Sequence, residues 1–384
     1  MMPALAVSRR TRSTPFTSRV EAMGVKAYTV YNHMLLPTAF KGVEEDYWHL
    51  CEHVQVWDVS CERQVEITGP DAEKLIQLMT PRDLSSARAG QCFYLPICDE
   101  KGMLINDPIA IKHSDSHWWL SIADSDVKLL AKGIAIGMQL DVEVCEPEVW
   151  PLAVQGPKAE ELMTRIFGEH VRDIRFFNYR NLDYRGTKML VARSGWSKQG
   201  GFEIYVNDSE MGGILWDELF SKGEDLQVAP GCPNLIERIE SGLLSFGNDM
   251  DYGDTPLECG LNKYVSLTAD INSLSIDALR NSTPRHQLVG LVCQGQQSFT
   301  AMGVYMQELC VGEITSYAWS PRYGVTLAMA RCSNVALETD VSLTVNSDAG
   351  VQTVVLSRLP FNFNDLGLIA HEANQSKPVS GKPV

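Results

Sequence analysis

Several features are missing from this sequence, and each absence excludes a class of protein or of binding site. No apolar run approaches the roughly 18 residues that a membrane-spanning helix needs. The ten cysteines contain no CxxC pair, so we expect no metal site and free thiols in a reducing, cytoplasmic compartment. Neither GxGxxG nor GxxxxGK[ST] occurs, so nothing indicates a dinucleotide site or a P-loop. A formal net charge of -15 disfavours a nucleic-acid partner.

The stretch from Arg193 to Val206, RSGWSKQGGFEIYV, is the most informative part of the chain. A glycine-rich loop carrying Trp196 leads into an alternating run, and such alternation is typical of a strand with one buried face. The apolar residues of the run share one face, and Glu203 and Tyr205 share the other. Taken alone, this pattern also fits an edge strand with a solvated glutamate.

A second candidate acid lies at the end of a predicted hairpin. Residues 91–110 predict a β-hairpin whose tip, Asp99–Gly102, ends on a glycine suited to a positive φ. Pro108 biases Asp107 toward extended geometry, which places its carboxylate at a strand end. A turn-forming aspartate before a proline is the alternative interpretation.

An internal repeat indicates two related α+β halves. Residues 65–75 and 152–162 share Gly, Pro, Ala, Glu and Leu at matching places. Each copy predicts a strand, a glycine turn and a helix with proline at its first position. Packing explains this motif, and we assign it no chemistry.

The last third of the chain predicts one helix and then a small β-domain. Residues 234–246 form an apolar stripe at helical spacing, with Arg238 off that stripe. Beyond about residue 280, short strands separated by Gly and Pro indicate a small barrel or sandwich. Residues 371–384 have almost no apolar content, so we expect a disordered tail.

Five segments, in this order, resemble the folate-dependent aminomethyltransferase family, whose founding member is the T-protein of the glycine cleavage system. They are VEITGPDAEKLIQLMTPRDL, the hairpin that closes on Asp107, RSGWSKQGGFEIYV, ERIESGLLSFGNDM and TPLECGL. The resemblance covers about residues 25–360. It implies an α+β fold, a three-lobed ring with two α/β lobes and a C-terminal β-barrel around a central tetrahydrofolate channel.

The resemblance also implies where the domains divide. Residues 1–55 and 150–265 would form a discontinuous folate-binding domain, and residues 56–149 a ferredoxin-like α+β domain. The C-terminal barrel would take residues 266–370.

Variant residues point to one branch of this family. The T-protein pattern Tyr-Thr-Gly-Glu-Asp-Gly is replaced here by a loop from Trp196 to Gly200 that has lost both acids and gained Lys198. The segments RSTPFTSRV, YTVYNHMLLP and QVWDVSCERQVEI resemble the branch that moves a methyl group from dimethylsulfoniopropionate to tetrahydrofolate. Two alternatives stay open: an aminomethyltransferase working with a lipoyl carrier protein, and a non-catalytic folate-binding scaffold. Transfer of a methyl group from the sulfonium to tetrahydrofolate would need no lipoyl carrier protein. A homodimer is possible.

The resemblance assigns roles to individual residues. Asp107 matches the catalytic aspartate of the family. The residues matched to folate binding are Glu203, which would contact the pterin ring, Arg238 and Tyr94. The residues expected to bind the sulfonium substrate are Trp196, Tyr205, Lys198, Tyr31, His33 and Ser121.

We predict that Trp196→Ala weakens use of the sulfonium more than it weakens folate binding. Aromatic faces hold quaternary-type cations at about 0.5–2 kcal/mol per contact, whereas the pterin would rely on Glu203. Steady-state kinetics with the sulfonium and a separate folate titration measure the two effects. Equal losses in both would contradict an aromatic cage at Trp196.

Overall fold

The computed structural model describes residues 8–337 and 341–371. Its α-helices are α1 Thr17–Ala22, α2 Val43–Glu52, α3 Ala72–Met79, α4 Val127–Gly137, α5 Ala159–Phe167, α6 Ser209–Lys222, α7 Leu235–Ser241, α8 Ile276–Arg280 and α9 Asn334–Leu337. Short 3-10 helices occupy Glu169–Asp173, Glu224–Leu226 and Asn262–Tyr264. Among these described residues, no helix has both the length and the apolar character needed to cross a bilayer.

The strands of the described residues are numbered in chain order. They are β1 Ala27–Tyr31, β2 Met34–Ala39, β3 Val54–Asp58, β4 Gln64–Thr68, β5 Gln91–Tyr94, β6 Ile97–Cys98, β7 Leu104–Asn106, β8 Ile109–Ser114, β9 His117–Ser121, β10 Glu143–Cys145, β11 Trp150–Gln155, β12 Tyr179–Tyr184, β13 Thr187–Ala192, β14 Gly201–Val206, β15 Val228–Gly231, β16 His286–Gln294, β17 Phe299–Met306, β18 Leu309–Ser320, β19 Val325–Ser333, β20 Leu343–Ser347 and β21 Gly350–Ser357.

The described residues divide into two compact units. The first contains the described residues up to Asn234 together with Met250–Leu257 and Leu261–Thr283. The second contains Leu235–Asp249, Glu258–Gly260 and the described residues from Pro284 onward.

Two mixed layers of sheet and helix build the first unit. A five-stranded sheet has the order β10-β4-β9-β8-β5, and a six-stranded sheet has the order β12-β13-β14-β11-β3-β15. Helices α3 and α4 bury their apolar sides against the five-stranded sheet, with Trp118 and Leu120 of β9 in that core. Helices α5 and α6 cover the six-stranded sheet, with Phe202 and Ile204 of β14 in theirs. Each sheet therefore has one face packed against helices and one face available for other contacts.

The second unit is built on a closed barrel in the order β16-β19-β18-β17-β20-β21. Inward side chains such as Val289, Leu291, Ala330 and Val345 fill its core. Closure leaves no free sheet edge along these strands. The predicted C-terminal β-barrel and the α+β class are confirmed.

The two copies of the internal repeat adopt the same strand–turn–helix path. The repeated glycines, Gly69 and Gly156, have φ of 129° and 119°. A Cβ on Gly156 would overlap the carbonyl oxygen of His53, and a Cβ on Gly69 would overlap that of Asp141. Glycine is thus required twice over, by backbone conformation and by close approach.

Three local predictions differ from the structure. The prolines of the repeat, Pro70 and Pro157, lie two residues before the first helical residue rather than at it. The helix predicted over 234–246 stops at Ser241, because Gly242 takes a positive φ of 65° and ends it. The hairpin over 91–110 is divided, with β6 and β7 forming a separate two-stranded ribbon at its tip.

The predicted domain borders stay a prediction. The disordered tail predicted for 371–384 lies, apart from His371, outside the described residues.

We predict that Gly156→Ala destabilises the first unit more than Gly186→Ala. Gly186 also has a positive φ, 88°, but a Cβ there meets nothing within 4 Å. The control substitution should cost about 1–2 kcal/mol from backbone strain alone, and Gly156→Ala should exceed it because of the overlap with His53. Urea unfolding measures both free energies, and equal values would contradict the close approach.

Candidate functional site

The faces of the two sheets that carry no helices meet inside the first unit. Their apolar contact is formed by Cys92, Ile111, Val149, Leu190, Ala192 and Tyr205. A backbone hydrogen bond of 2.8 Å from Cys92 N to the Phe177 carbonyl ties β5 to the segment before β12. Polar side chains on these faces are therefore removed from water by the sheet of the other layer.

Glu203 lies on one of these faces, in an interior strand. Strand β14 pairs with β13 on one side and β11 on the other, so the edge-strand interpretation is wrong. The carboxylate is in a side chain only 6% exposed, and it accepts hydrogen bonds from Ser194 Oγ and, at 3.4 Å, from Tyr205 OH. Burial raises the pKa of Glu203, and the two hydroxyl donors oppose that rise.

Asp107 occupies the short link between β7 and β8, where the hairpin prediction placed it. Tyr94 OH donates a 2.9 Å hydrogen bond to its Oδ2 atom. Burial raises the pKa of Asp107 to about 7, and the bond from Tyr94 acts against the shift. The residue nevertheless keeps accessible surface. Asp107 therefore lies where the packed core meets accessible surface.

Ser121 joins a third acid, Glu62, to this group. Gln64 Nε2 donates 2.9 Å to Ser121 Oγ and 2.8 Å to the Glu62 carbonyl oxygen. Ser121 also lies close enough to the Glu62 carboxylate and to Tyr205 to lower the pKa of each. The pKa of Glu62 is raised well above its usual value, chiefly by burial and then by the charges of Glu203 and Asp107.

A β-hairpin brings Tyr31 to the same group. Its two-residue turn, Asn32 and His33, has φ of 48° and 65°. The Asn32 side chain is buried and donates 2.8 Å to the Cys61 carbonyl oxygen, which fixes the hairpin beside Glu62. Burial, then the charges of Asp107 and Glu62, raise the pKa of Tyr31. His33 is exposed at the turn.

The loop that carries Trp196 and Lys198 is organised by one buried amide. Gln155 has no exposed surface; its Nε2 donates 3.1 Å to the Ser194 carbonyl, and its Oε1 accepts 2.9 Å from Ser197 Oγ. A Cβ on Gly195 or Gly201 would overlap the Gln155 side chain. The glycines of the loop thus allow it to fold directly over Gln155.

The predicted substrate residues in and beside this loop differ in exposure. Trp196 is half-buried and Lys198 is exposed. Tyr205 is 2% exposed and packs on Trp119, with 6.1 Å between ring centroids. Tyr205 therefore presents its hydroxyl, held between Glu203 and Ser121, more than the face of its ring.

Arg238 belongs to the second unit. It is buried, and its guanidinium donates 2.7 Å to Asp249 Oδ2 and 2.6 Å to Ser316 Oγ. The structure thus brings together Asp107, Tyr94, Glu203, Tyr205, Ser121 and Tyr31 within the first unit. The folate role of Arg238 stays a prediction.

Sequence reasoning missed Glu62, Ser194 and Gln155. Glu62 lies two residues before β4, just as Asp107 lies two residues before β8, so its position at a strand end was readable from the sequence. Gln155 follows no such rule, because its role depends on contacts with Ser194 and Ser197, which lie 39 and 42 residues away in sequence.

The three acids of this site share one electrostatic property. Within residues 8–337 and 341–371, no ion pair joins Glu62, Asp107 or Glu203 to a lysine or an arginine. Carboxylates desolvated together without a cationic partner disfavour their own ionisation. A positively charged ligand would relieve that cost, so the arrangement suits a cation.

Residues 16–269 match the family model of the GCVT N-terminal domain. The chain is 49% identical over 358 residues to the dimethylsulfoniopropionate demethylase DmdA of Ruegeria pomeroyi, covering 92% of this chain and 98% of that protein. It is 33% identical over 278 residues to the aminomethyltransferase of Clostridium botulinum strain Okra / Type B1, covering 69% of this chain and 73% of that protein.

A solved structure has the same fold. The glycine cleavage system aminomethyltransferase T from Bartonella henselae superposes with a TM-score of 0.81 at 21% identity, covering 91% of this chain and 98% of that one.

We predict that Asp107→Asn raises the melting temperature at pH 8 and that the gain disappears near pH 4. An acid whose folded pKa is raised binds more protons in the folded state, so it costs stability as pH rises from its unfolded value through about 7. Thermal unfolding across this pH range measures the difference. The exposed Asp270→Asn is the control, and a gain of equal size there would contradict the assignment.

Proposed function

The chain belongs to the family of the GCVT N-terminal domain, and on that premise we propose that it transfers a methyl group from dimethylsulfoniopropionate to N5 of tetrahydrofolate. The products are 3-(methylthio)propanoate and 5-methyltetrahydrofolate. The observation that carries this conclusion is the 49% identity to DmdA over 92% of the chain. The cluster of acids without cationic partners is consistent with it, because the methyl donor is a cation at sulfur.

The reaction needs alignment more than activation. The leaving group of a sulfonium is a neutral thioether, and N5 of the folate attacks with its own lone pair. The C–S bond breaks with its electron pair staying on sulfur, the N–C bond forms, and N5 then releases its extra proton. No protein nucleophile takes part. Holding the two reactants in line is worth up to about 7–11 kcal/mol in well-oriented systems.

We assign Asp107 to the developing charge on the folate. In its ionised form, held by Tyr94, it can stabilise positive charge on the folate nitrogens as the methyl group arrives. We assign Glu203 to the pterin ring as a hydrogen-bond acceptor, and the bonds from Ser194 and Tyr205 that orient its carboxylate support this role. Arg238 is proposed as a further folate contact.

The proposed substrate contacts divide by chemistry. Trp196 offers an aromatic face to the sulfonium, and Tyr31, Tyr205 and Ser121 offer hydroxyl groups near the acids. Lys198 and His33 are exposed and are the proposed partners for the anionic end of a ligand. Because the methyl group passes directly between two small molecules, we expect no lipoyl carrier partner.

We also propose a cytoplasmic location and leave a homodimer as a possibility. All ten cysteines are free thiols, as expected in a reducing compartment.

One assay tests the function. The protein is incubated with tetrahydrofolate and dimethylsulfoniopropionate, and 5-methyltetrahydrofolate is quantified. Its formation without any carrier protein is the expected result. Activity only with a lipoylated carrier would select an aminomethyltransferase, and folate binding without turnover would select a scaffold.

We predict that Glu203→Ala chiefly weakens folate binding, by roughly 10- to 100-fold in Kd, as expected for lost hydrogen bonds to a charged group. Fluorescence titration with the folate gives the Kd. The exposed Glu100→Ala serves as control and should leave the Kd unchanged. An unaltered Kd in Glu203→Ala would remove Glu203 from the folate site.

A further inference from the structure

Strand register places Glu62 and Asp107 at the same end of one sheet. Ser121, the last residue of β9, pairs with Gln64 on one side and with Ile109 on the other. Glu62 lies two residues before Gln64, and Asp107 lies two residues before Ile109. Both flanking strands run antiparallel to β9, so the two acids extend past Ser121 in the same direction. Their backbones are then separated by two strand spacings, about 10 Å, with a shared space between them.

Two residues assigned to the sulfonium are tied to the backbone at Glu62. Gln64 Nε2 donates both to the Glu62 carbonyl oxygen and to Ser121 Oγ. Asn32, which follows Tyr31, donates to the carbonyl oxygen of Cys61, which precedes Glu62. Glu203 and Asp107 have proposed partners on the folate, whereas the charge of Glu62 has none. Like Asp107, Glu62 is a desolvated acid in a residue that keeps accessible surface.

We propose that Glu62 is the anionic group that recognises the sulfonium and makes the site prefer cationic sulfur over neutral sulfur. This inference rests on the proposed function, since the ligand is the methyl donor of that reaction. A bound cation favours the ionised form of Glu62, and that negative charge holds the sulfonium before transfer. After transfer the product sulfur is neutral, so the same contact no longer holds it and release is favoured.

The structural role of Glu62 can be separated from its charge. The bond from Gln64 goes to the backbone carbonyl of Glu62, so Glu62→Gln retains it. Replacement by glutamine therefore removes the charge with little change in shape, and Glu62→Asp keeps the charge on a shorter side chain.

The test measures binding in the absence of tetrahydrofolate, so it does not depend on turnover. Calorimetry gives the Kd of dimethylsulfoniopropionate and of 3-(methylthio)propanoate for the wild type, Glu62→Gln, Glu62→Asp and the exposed control Glu143→Gln. We expect the wild type and the control to prefer the sulfonium. The preference should fall roughly tenfold or more in Glu62→Gln and be largely kept in Glu62→Asp.

Three results would overturn the inference: no preference in the wild type, an unchanged preference in Glu62→Gln, or an equal loss in the control. A melting curve for Glu62→Gln shows whether the variant is folded, and its melting temperature should not fall. Failure of the proposed function is read separately, from the turnover assay, because a wild type that binds the sulfonium without forming 5-methyltetrahydrofolate fails only that test.

Discussion

The packing of two sheets against each other, with acids from both in the same water-poor space, is the constraint on which the site depends. Glu203 comes from the six-stranded sheet, and Glu62 and Asp107 come from the five-stranded one. Burial is the main reason that all three have raised pKa values. Such a cluster is unfavourable in the empty protein and becomes favourable when a cation enters. Stability and ligand preference therefore arise from the same arrangement.

Hydroxyl groups reduce the cost of burying these carboxylates. Tyr94 donates to Asp107, and Ser194 and Tyr205 donate to Glu203. Each bond favours the ionised carboxylate without adding a positive charge that would compete with the substrate. The hydroxyl donors thus orient these two acids and leave them without a cationic partner, whereas a lysine or arginine in the same place would already neutralise them.

Family resemblance and residue chemistry agree in this protein, but they contribute different parts of the conclusion. The cluster of Glu62, Asp107 and Glu203 indicates that the ligand is a cation but does not identify it. The match to DmdA and to aminomethyltransferases supplies the reaction class and the folate. Direct methyl transfer is consistent with the family match and with the residue chemistry. It needs no protein nucleophile, only a site that aligns a sulfonium with a folate nitrogen.

Local patterns in the amino-acid sequence predict the strand alternation of Phe202–Val206, the glycine turns of the repeat and the position of Asp107 at a strand end. These features depend on spacing and backbone conformation within a few residues. For the C-terminal strands the residue pattern allowed a barrel or a sandwich, and the family resemblance selected the barrel. The tertiary structure was needed to show that β14 is an interior strand, that Gln155 supports the loop of Trp196 and that Glu62 joins the other two acids. Those facts depend on which distant strands become neighbours, and sheet register brings residues together without leaving a local pattern in the sequence.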